Sequence, residues 1–408
     1  SSAITGDIGM LTEGQLERYA EVLWWGLTTA RRNRFRKKEI VLVRFHAGAV
    51  RLAEILHRRL IQAGIHPVLR LAGTPDMERC FYRFAAAWQL DFIPPGEEQL
   101  TQRLNGGIYL HAPESLTHLK EAAPGKIART ALSQKPLRAI LERREACGAY
   151  GWTLAVLPTP ELARRAGLSL AEYSRQVAAA CFLNSAAPVA RWVEIHRRAA
   201  EIKRWLDGLK VNRFHVESEG VDLEILLGAR RRWAGISGRN IPSFELFVSP
   251  DWRGTRGRFH ADQPSFRHGN LVRGVRLEFR QGRVVRATAE EGERFLKRQL
   301  DMDPGARQVG EFSLTDKRFS RINRFMANTL YDENFGGRFG NCHIALGSSY
   351  ANTYAGAPRG LTAARREKLG FNDSALHWDF VNTEEKRVTA ILADGARRVV
   401  YEIGRYRI

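Results

Sequence analysis

Glu39-Ile40-Val41-Leu42-Val43-Arg44-Phe45 is a short apolar run that reads as a buried strand. Ala47 to Ala63 follows with apolar residues at helical spacing and is stopped by Gly64. His66-Pro67-Val68-Leu69-Arg70-Leu71 reads as the next strand. Strand, helix and strand within ~30 residues predict a right-handed parallel βαβ unit. Upstream, Thr12-Glu13-Gly14-Gln15 has the form of a capping box. Leu16, Tyr19, Ala20, Leu23, Trp24 and Leu27 give the helix after it one apolar face. Downstream, Gly107 to His111 and Trp152 to Leu157 read as further strands with helices between them. The expectation for residues 1–210 is an α/β domain, an open and mostly parallel sheet with flanking helices. His46, just after the first strand, stands where such sheets present ligands. No GxGxxG follows that strand and no GxxxxGK[ST] occurs, so the usual glycine-rich phosphate cradles are absent.

Two helices, about Ser169 to Leu183 and Pro188 to Leu209, lead out of this domain, and then the pattern changes. Arg213 to Leu223 alternates as a half-buried strand does. Val275 to Phe279 and Val284 to Ala287 are joined by Arg280-Gln281-Gly282-Arg283, a hairpin signal. Ala289 to Leu300 reads as a helix. The expectation for residues 211–408 is an α+β domain of antiparallel strands that carries a metal site, with the boundary near Lys210.

The 408 residues contain no apolar run near the ~20 a membrane helix needs. Ser1 to Asp7 shows neither the basic start nor the apolar core of a secretion signal. Cys80, Cys147, Cys181 and Cys342 form no CxxC pair, which argues against a disulfide framework or thiolate zinc site and points to a reducing cytoplasm. The net charge of +20 raises nucleic acid as a partner, and Arg253-Gly254-Thr255-Arg256-Gly257-Arg258-Phe259-His260 looks like an arginine–glycine RNA tract. The arginines are nonetheless spread along the whole chain, which favours plain surface composition over a nucleic-acid arm.

The chemistry gathers between Tyr331 and Asp379, where Glu333, His343, His377 and Asp379 lie among glycines and apolar residues. Carboxylate oxygen with imidazole nitrogen suits zinc, cobalt or manganese. His377 and Asp379 are two apart, so on a strand they share a face. Glu245 and Glu311 are carboxylates in apolar strands, each either facing water or buried with a partner.

These residues sit in motifs that resemble the thermophilic metallo-aminopeptidases, the aminopeptidase T and PepS-like group. The motifs are Gly220-Val221-Asp222-Leu223, Arg239-Asn240-Ile241-Pro242-Ser243 before Glu245, and Gly305-Ala306-Arg307 leading to Gly310-Glu311. Leu330-Tyr331-Asp332-Glu333-Asn334, Cys342-His343-Ile344-Ala345-Leu346-Gly347 with Tyr350, and Leu376-His377-Trp378-Asp379-Phe380 follow in order. The resemblance implies a metal-dependent aminopeptidase, a hydrolase that removes the first residue of peptide substrates. It implies two divalent ions per chain (zinc or cobalt, with manganese or magnesium as alternatives) held by Glu245, Glu311, Glu333, His343, His377 and Asp379. Glu311 would bridge the ions, Tyr350 would be catalytic, and Glu245 or Glu333 would be the base. It also implies a homodimer, to which Trp252, Phe259 and Phe266 would offer exposed apolar surface. Phe244 stands where the family has glycine, and is expected to line or narrow the substrate pocket. Other two-metal hydrolases and a nucleic-acid binder are the alternatives.

Overall fold

The computed structural model describes residues 10–267, 269–357 and 360–408, so the stretch Ser1 to Asp7 lies outside the described residues. The chain divides into two compact units. The first ends at Trp192 and takes back Ser237–Ile241; the second comprises Val193–Ile236 and Pro242–Ile408. The division falls inside the helix Pro188–Gly208, just ahead of the boundary expected near Lys210.

In the first unit, β1 (Ile40–Phe45) pairs in parallel with β2 (His66–Leu71) on one side and β3 (Gly106–His111) on the other. β4 (Gly151–Val156) and the short β5 (Asn240–Ile241) extend the sheet, also in parallel. This is the expected α/β layer. The helix Glu13–Ala30 starts with the capping box read from sequence: the Gln15 N–H donates to Thr12 Oγ1 and the Thr12 N–H to Gln15 Oε1. Its apolar stripe buries Tyr19, Ala20, Leu23 and Leu27. At the carboxyl edge of the sheet, His46 lines a cavity of about 50 Å³ together with Glu78 and His118.

The second unit is antiparallel, as expected. The alternating run from Arg213 is two strands, β6 (Val211–Glu217) and β7 (Asp222–Leu226), because Ser218 N–H donates to the Val221 carbonyl and turns the chain. They form part of an eight-stranded sheet with β9 (Arg256–Ala261), β10 (Val275–Arg280) and β11 (Arg283–Thr288). A four-stranded sheet carries the candidate site: β8 (Glu245–Val248), β12 (Val309–Thr315), β13 (Asn341–Gly347) and β14 (His377–Asn382). Its spatial order is β14-β13-β12-β8. On the side facing the larger sheet, Phe312 meets Phe214 at 5.7 Å and Trp233 at 6.2 Å between ring centroids.

The arginine–glycine tract is not an RNA-like loop. Most of it is β9, held in the sheet between β7 and β10. Arg256 pairs with Glu224, and Arg253, in the turn before it, pairs with Asp251. Phe259 is buried in that sheet and offers no surface to a partner. Among the described residues no helix is long and apolar enough to cross a membrane.

Candidate metal centre

Strand alternation and register assemble the site. One face of the four-stranded sheet carries Glu245 from β8, Glu311 from β12, His343 from β13, and His377 and Asp379 from β14. Ala345 is paired with Glu311 on one side and Asp379 on the other, so a methyl group lies between two carboxylates. His343 stands opposite Ser313, and Thr315 opposite Glu245.

Two glycines aim this face. The β12–β13 register slips between Val309 and Glu311, and the residue in the slip is Gly310. A Cβ there would lie 2.3 Å from the Gly347 carbonyl oxygen. Gly347 itself adopts φ +104, and a Cβ would lie 2.0 Å from the Leu376 carbonyl oxygen.

The side chains converge on two overlapping groups. Glu245, Glu311 and His343 offer ligand atoms within 4.8 Å of one another, and so do Glu311, His377 and Asp379. Glu311 belongs to both. His343 Nε2 is 3.2 Å from Glu245 Oε2 and 3.3 Å from Glu311 Oε1. His377 Nε2 is 3.5 Å from both Glu311 Oε2 and Asp379 Oδ1. His377 donates from Nδ1 to the Ser348 carbonyl at 3.0 Å, leaving Nε2 to face the carboxylates.

Burial and mutual repulsion shape the charges. Burial, then Glu245, push the Glu311 carboxyl up to about 7, with the histidines pulling the other way. Burial and the surrounding carboxylates hold Glu333 well above the usual carboxylate range. Burial opposes the charge on His377, yet Asp379 and Glu311 outweigh it and raise its pKa to about 9. His343 is likewise raised, against burial, by Glu245 and Glu311. The carboxylates therefore draw positive charge into a place that excludes water, and a divalent cation answers that pull. The donor set of carboxylate oxygens and imidazole nitrogens fits such an ion.

Glu333 reaches the cluster from another element. The short helix Thr329–Asp332 ends at it, and Asp332 shapes the approach by accepting from Met326 N–H and Asn328 N–H. Asn341 Nδ2 donates to the carbonyls of Glu333 and Phe335 and so holds the glycine-rich turn that follows. Glu333 feels the charges of Glu245, Asp379 and Glu311 but belongs to neither three-residue group.

Tyr350 stands at the rim, 42% exposed, with its hydroxyl 3.1 Å from His377 Nε2. The hydroxyl end faces inward, where burial and then the carboxylates raise its pKa above the ordinary phenol value. Phe244, expected to line or narrow the substrate pocket, is fully buried, and its N–H donates to Asn334 Oδ1 just ahead of β8 and of the face that carries Glu245. The aromatic on that face is Phe247, whose ring centroid is 5.5 Å from that of Tyr350.

Sequence reasoning missed several neighbours that the same period could have found. Phe247 follows Glu245 by two, Ser313 follows Glu311 by two, and Ala345 follows His343 by two. Ser313 Oγ donates to Glu245 Oε2 at 3.1 Å. Arg267, whose Nη1 donates to the His377 carbonyl at 2.9 Å, carried no signal.

Comparison with known proteins gives the family and the fold. The family model described as thermophilic metalloprotease (M29) matches residues 12–406. Aminopeptidase 2 of Geobacillus stearothermophilus is 29% identical over 330 residues, covering 76% of this chain and 78% of its own. Aminopeptidase T of Thermus aquaticus is 32% identical over 274 residues, or 63% of each chain. The solved structure of wild-type AmpT from Thermus thermophilus shares the fold with a TM-score of 0.81 at 24% identity, over 97% of this chain and 99% of that one. With its family pattern running from end to end and its carboxylates and histidines gathered on one sheet face, this chain belongs to the thermophilic metalloprotease family (M29), as a metallo-aminopeptidase.

Proposed function

We propose that this chain removes the N-terminal residue of peptides at a site holding two divalent ions, with Glu311 shared between them. The observation that carries this reading is the overlap of two three-residue groups at Glu311. Glu245 and His343 would hold one ion, and His377 and Asp379 the other. Zinc, cobalt and manganese suit this donor set best. When bound, such a pair activates a water near neutral pH and polarises the scissile carbonyl.

The chain's own groups do the rest. Glu333 lies beside Glu245 and outside both groups, so its carboxylate takes the water's proton and passes it to the departing amine. Tyr350 donates a hydrogen bond to the carbonyl oxygen as charge develops on it. Phe247 and Tyr350 form the aromatic wall against which the first side chain lies. None of the four cysteines is in a disulfide, in keeping with work in a reducing compartment, and the active form in this reading is a homodimer.

Removal of divalent ions with a chelator is expected to abolish release of the first residue from a dipeptide, and cobalt or zinc to restore it. Glu311→Gln is expected to lose both ions, as read by elemental analysis, because it touches both groups. Full activity after exhaustive chelation, or two ions retained by Glu311→Gln, refutes the two-ion reading.

A further inference from the structure

We propose that Asn334 is the positioning residue that fixes the Glu333 carboxylate against the strand bearing Glu245, so that two carboxylates from different elements face the cluster at one spacing. This rests on the reading of the site given above and concerns a residue outside the five proposed ligands and the Glu333 base.

Asn334 is fully buried and makes contacts in two directions. Its Oδ1 accepts from the Phe244 N–H at 2.5 Å and from the Glu245 N–H at 3.0 Å. Its Nδ2 donates to the Leu330 carbonyl at 2.9 Å and faces Glu333 Oε1 at 3.4 Å. Two N–H donors on one side require the oxygen there, which turns the amine toward Leu330 and Glu333. The Asn334 carbonyl in turn accepts from Ser320 Oγ at 2.5 Å. The amide plane cannot rotate without orphaning buried groups at both ends.

The need for such a link follows from the topology. β8 is the outer strand of its sheet, paired along one edge with β12 and bridged on the other edge at Phe247, to Ala234. At its start, the Asn334 oxygen supplies the acceptors that a further strand would have provided. Glu333 hangs from a one-turn helix, and its carboxylate faces those of Glu245, Asp379 and Glu311. When ionised, it is repelled by those carboxylates, and the donor on the adjacent residue, 3.4 Å from its Oε1, opposes that. One side chain therefore holds both the main chain of Glu245 and the side chain of Glu333.

The test uses Asn334→Asp and Asn334→Ala, each alone and combined with Glu333→Gln. Asn334→Asp keeps the acceptor for the two N–H groups but loses the donor and sets a like charge against Glu333. Divalent affinity is measured on metal-free protein by competition with a chromogenic chelator, and kcat and KM on a dipeptide. Asn334→Asp is expected to keep its circular dichroism and its KM, while divalent affinity and kcat each fall about 10-fold to 100-fold. On the Glu333→Gln background the same change is expected to have less than about a threefold effect, because the new amide can donate to the new carboxylate. Wild-type affinity and kcat in Asn334→Asp would overturn the proposal. So would losses that simply multiply with those of Glu333→Gln, or unfolding of both Asn334 variants, which would make the residue a support of the strand junction alone. If the wild-type chain takes up no divalent ion, the metal reading fails instead, and the coupling in kcat between positions 334 and 333 still decides the role of Asn334.

Discussion

Replacing Tyr350 by Phe removes one oxygen from the rim of the site and little else. The main chain of Tyr350 is held independently of its hydroxyl: its N–H donates to Ser249 Oγ at 2.8 Å, and its carbonyl accepts from Thr353 Oγ1 at 2.8 Å. Its ring stays between Phe247 and His377, at 5.5 and 4.7 Å between centroids. The position is 42% exposed, so loss of the hydroxyl costs the fold at most about 1 kcal/mol. The raised phenol pKa keeps the group a neutral donor across the working pH range. A donor used mainly as charge develops on the carbonyl oxygen is worth roughly 2.7–4 kcal/mol, or 10²–10³ in turnover. Tyr350→Phe is therefore expected to keep its ions and a near-normal KM while kcat falls about 100-fold. Steady-state kinetics on a dipeptide, with elemental analysis of the same sample, reads both. An unchanged kcat removes Tyr350 from the chemistry. Lost metal with lost activity makes the contact to His377 Nε2 the important one, and the hydroxyl a support for that imidazole.

Three further outcomes follow from the same geometry. Ala345→Val puts two methyl groups between Glu311 and Asp379 and is expected to weaken divalent binding by at least about tenfold, checked by chelator competition. Phe247→Ala is expected to lower kcat/KM for dipeptides with a large apolar first residue by about 10-fold to 100-fold, with little change when that residue is alanine. Glu384→Gln is a stability test: Glu384 accepts from Ser218 Oγ, Gly220 N–H and His260, and these outweigh burial and depress its carboxyl to about 2. A depressed carboxyl stabilises the fold above its unfolded value of 4.5 and stops doing so as pH falls toward about 2. The melting-temperature gap between wild type and Glu384→Gln should therefore be full at neutral pH and shrink between those limits; a constant gap refutes it.

What could be read from the sequence was local or periodic. The capping box at Thr12 needs four residues, and the βαβ run from Glu39 to Leu71 needs one apolar period after another. His377 and Asp379 share a strand face by the period of two, which the structure repeats. What could not be read depends on pairing between distant strands. Nothing near Ala345 says that Glu311 and Asp379 will flank it. The Arg253–His260 tract has the composition of a loop, and only its neighbours in the sheet make most of it a strand. Phe247 is legible for a simpler reason: second neighbours on a strand share a face, so the residue two past Glu245 stands beside it.

The contrast between this site and the rest of the chain bears on whether its charges are structural. The chain has 64 Lys plus Arg, and several of its other shielded carboxylates use them: Glu39 pairs with Arg31, Glu224 with Arg213 and Arg256, and Asp316 with Arg318. A fold needing only to neutralise Glu245, Glu311, Glu333 and Asp379 had the same means available. Yet among the described residues their direct ion-pair contacts are to His343 and His377 alone. Arg267 is near enough to favour the charge on Asp379, but its guanidinium donates to the His377 carbonyl. Burying several carboxylates without matching cations costs several kcal/mol per ion, which a structural network avoids. A site that must take up divalent cations cannot carry its own. A lysine or arginine fixed in the cluster would repel them and occupy the oxygens they need. The missing positive charge in an otherwise basic chain is thus what a metal-dependent hydrolase requires.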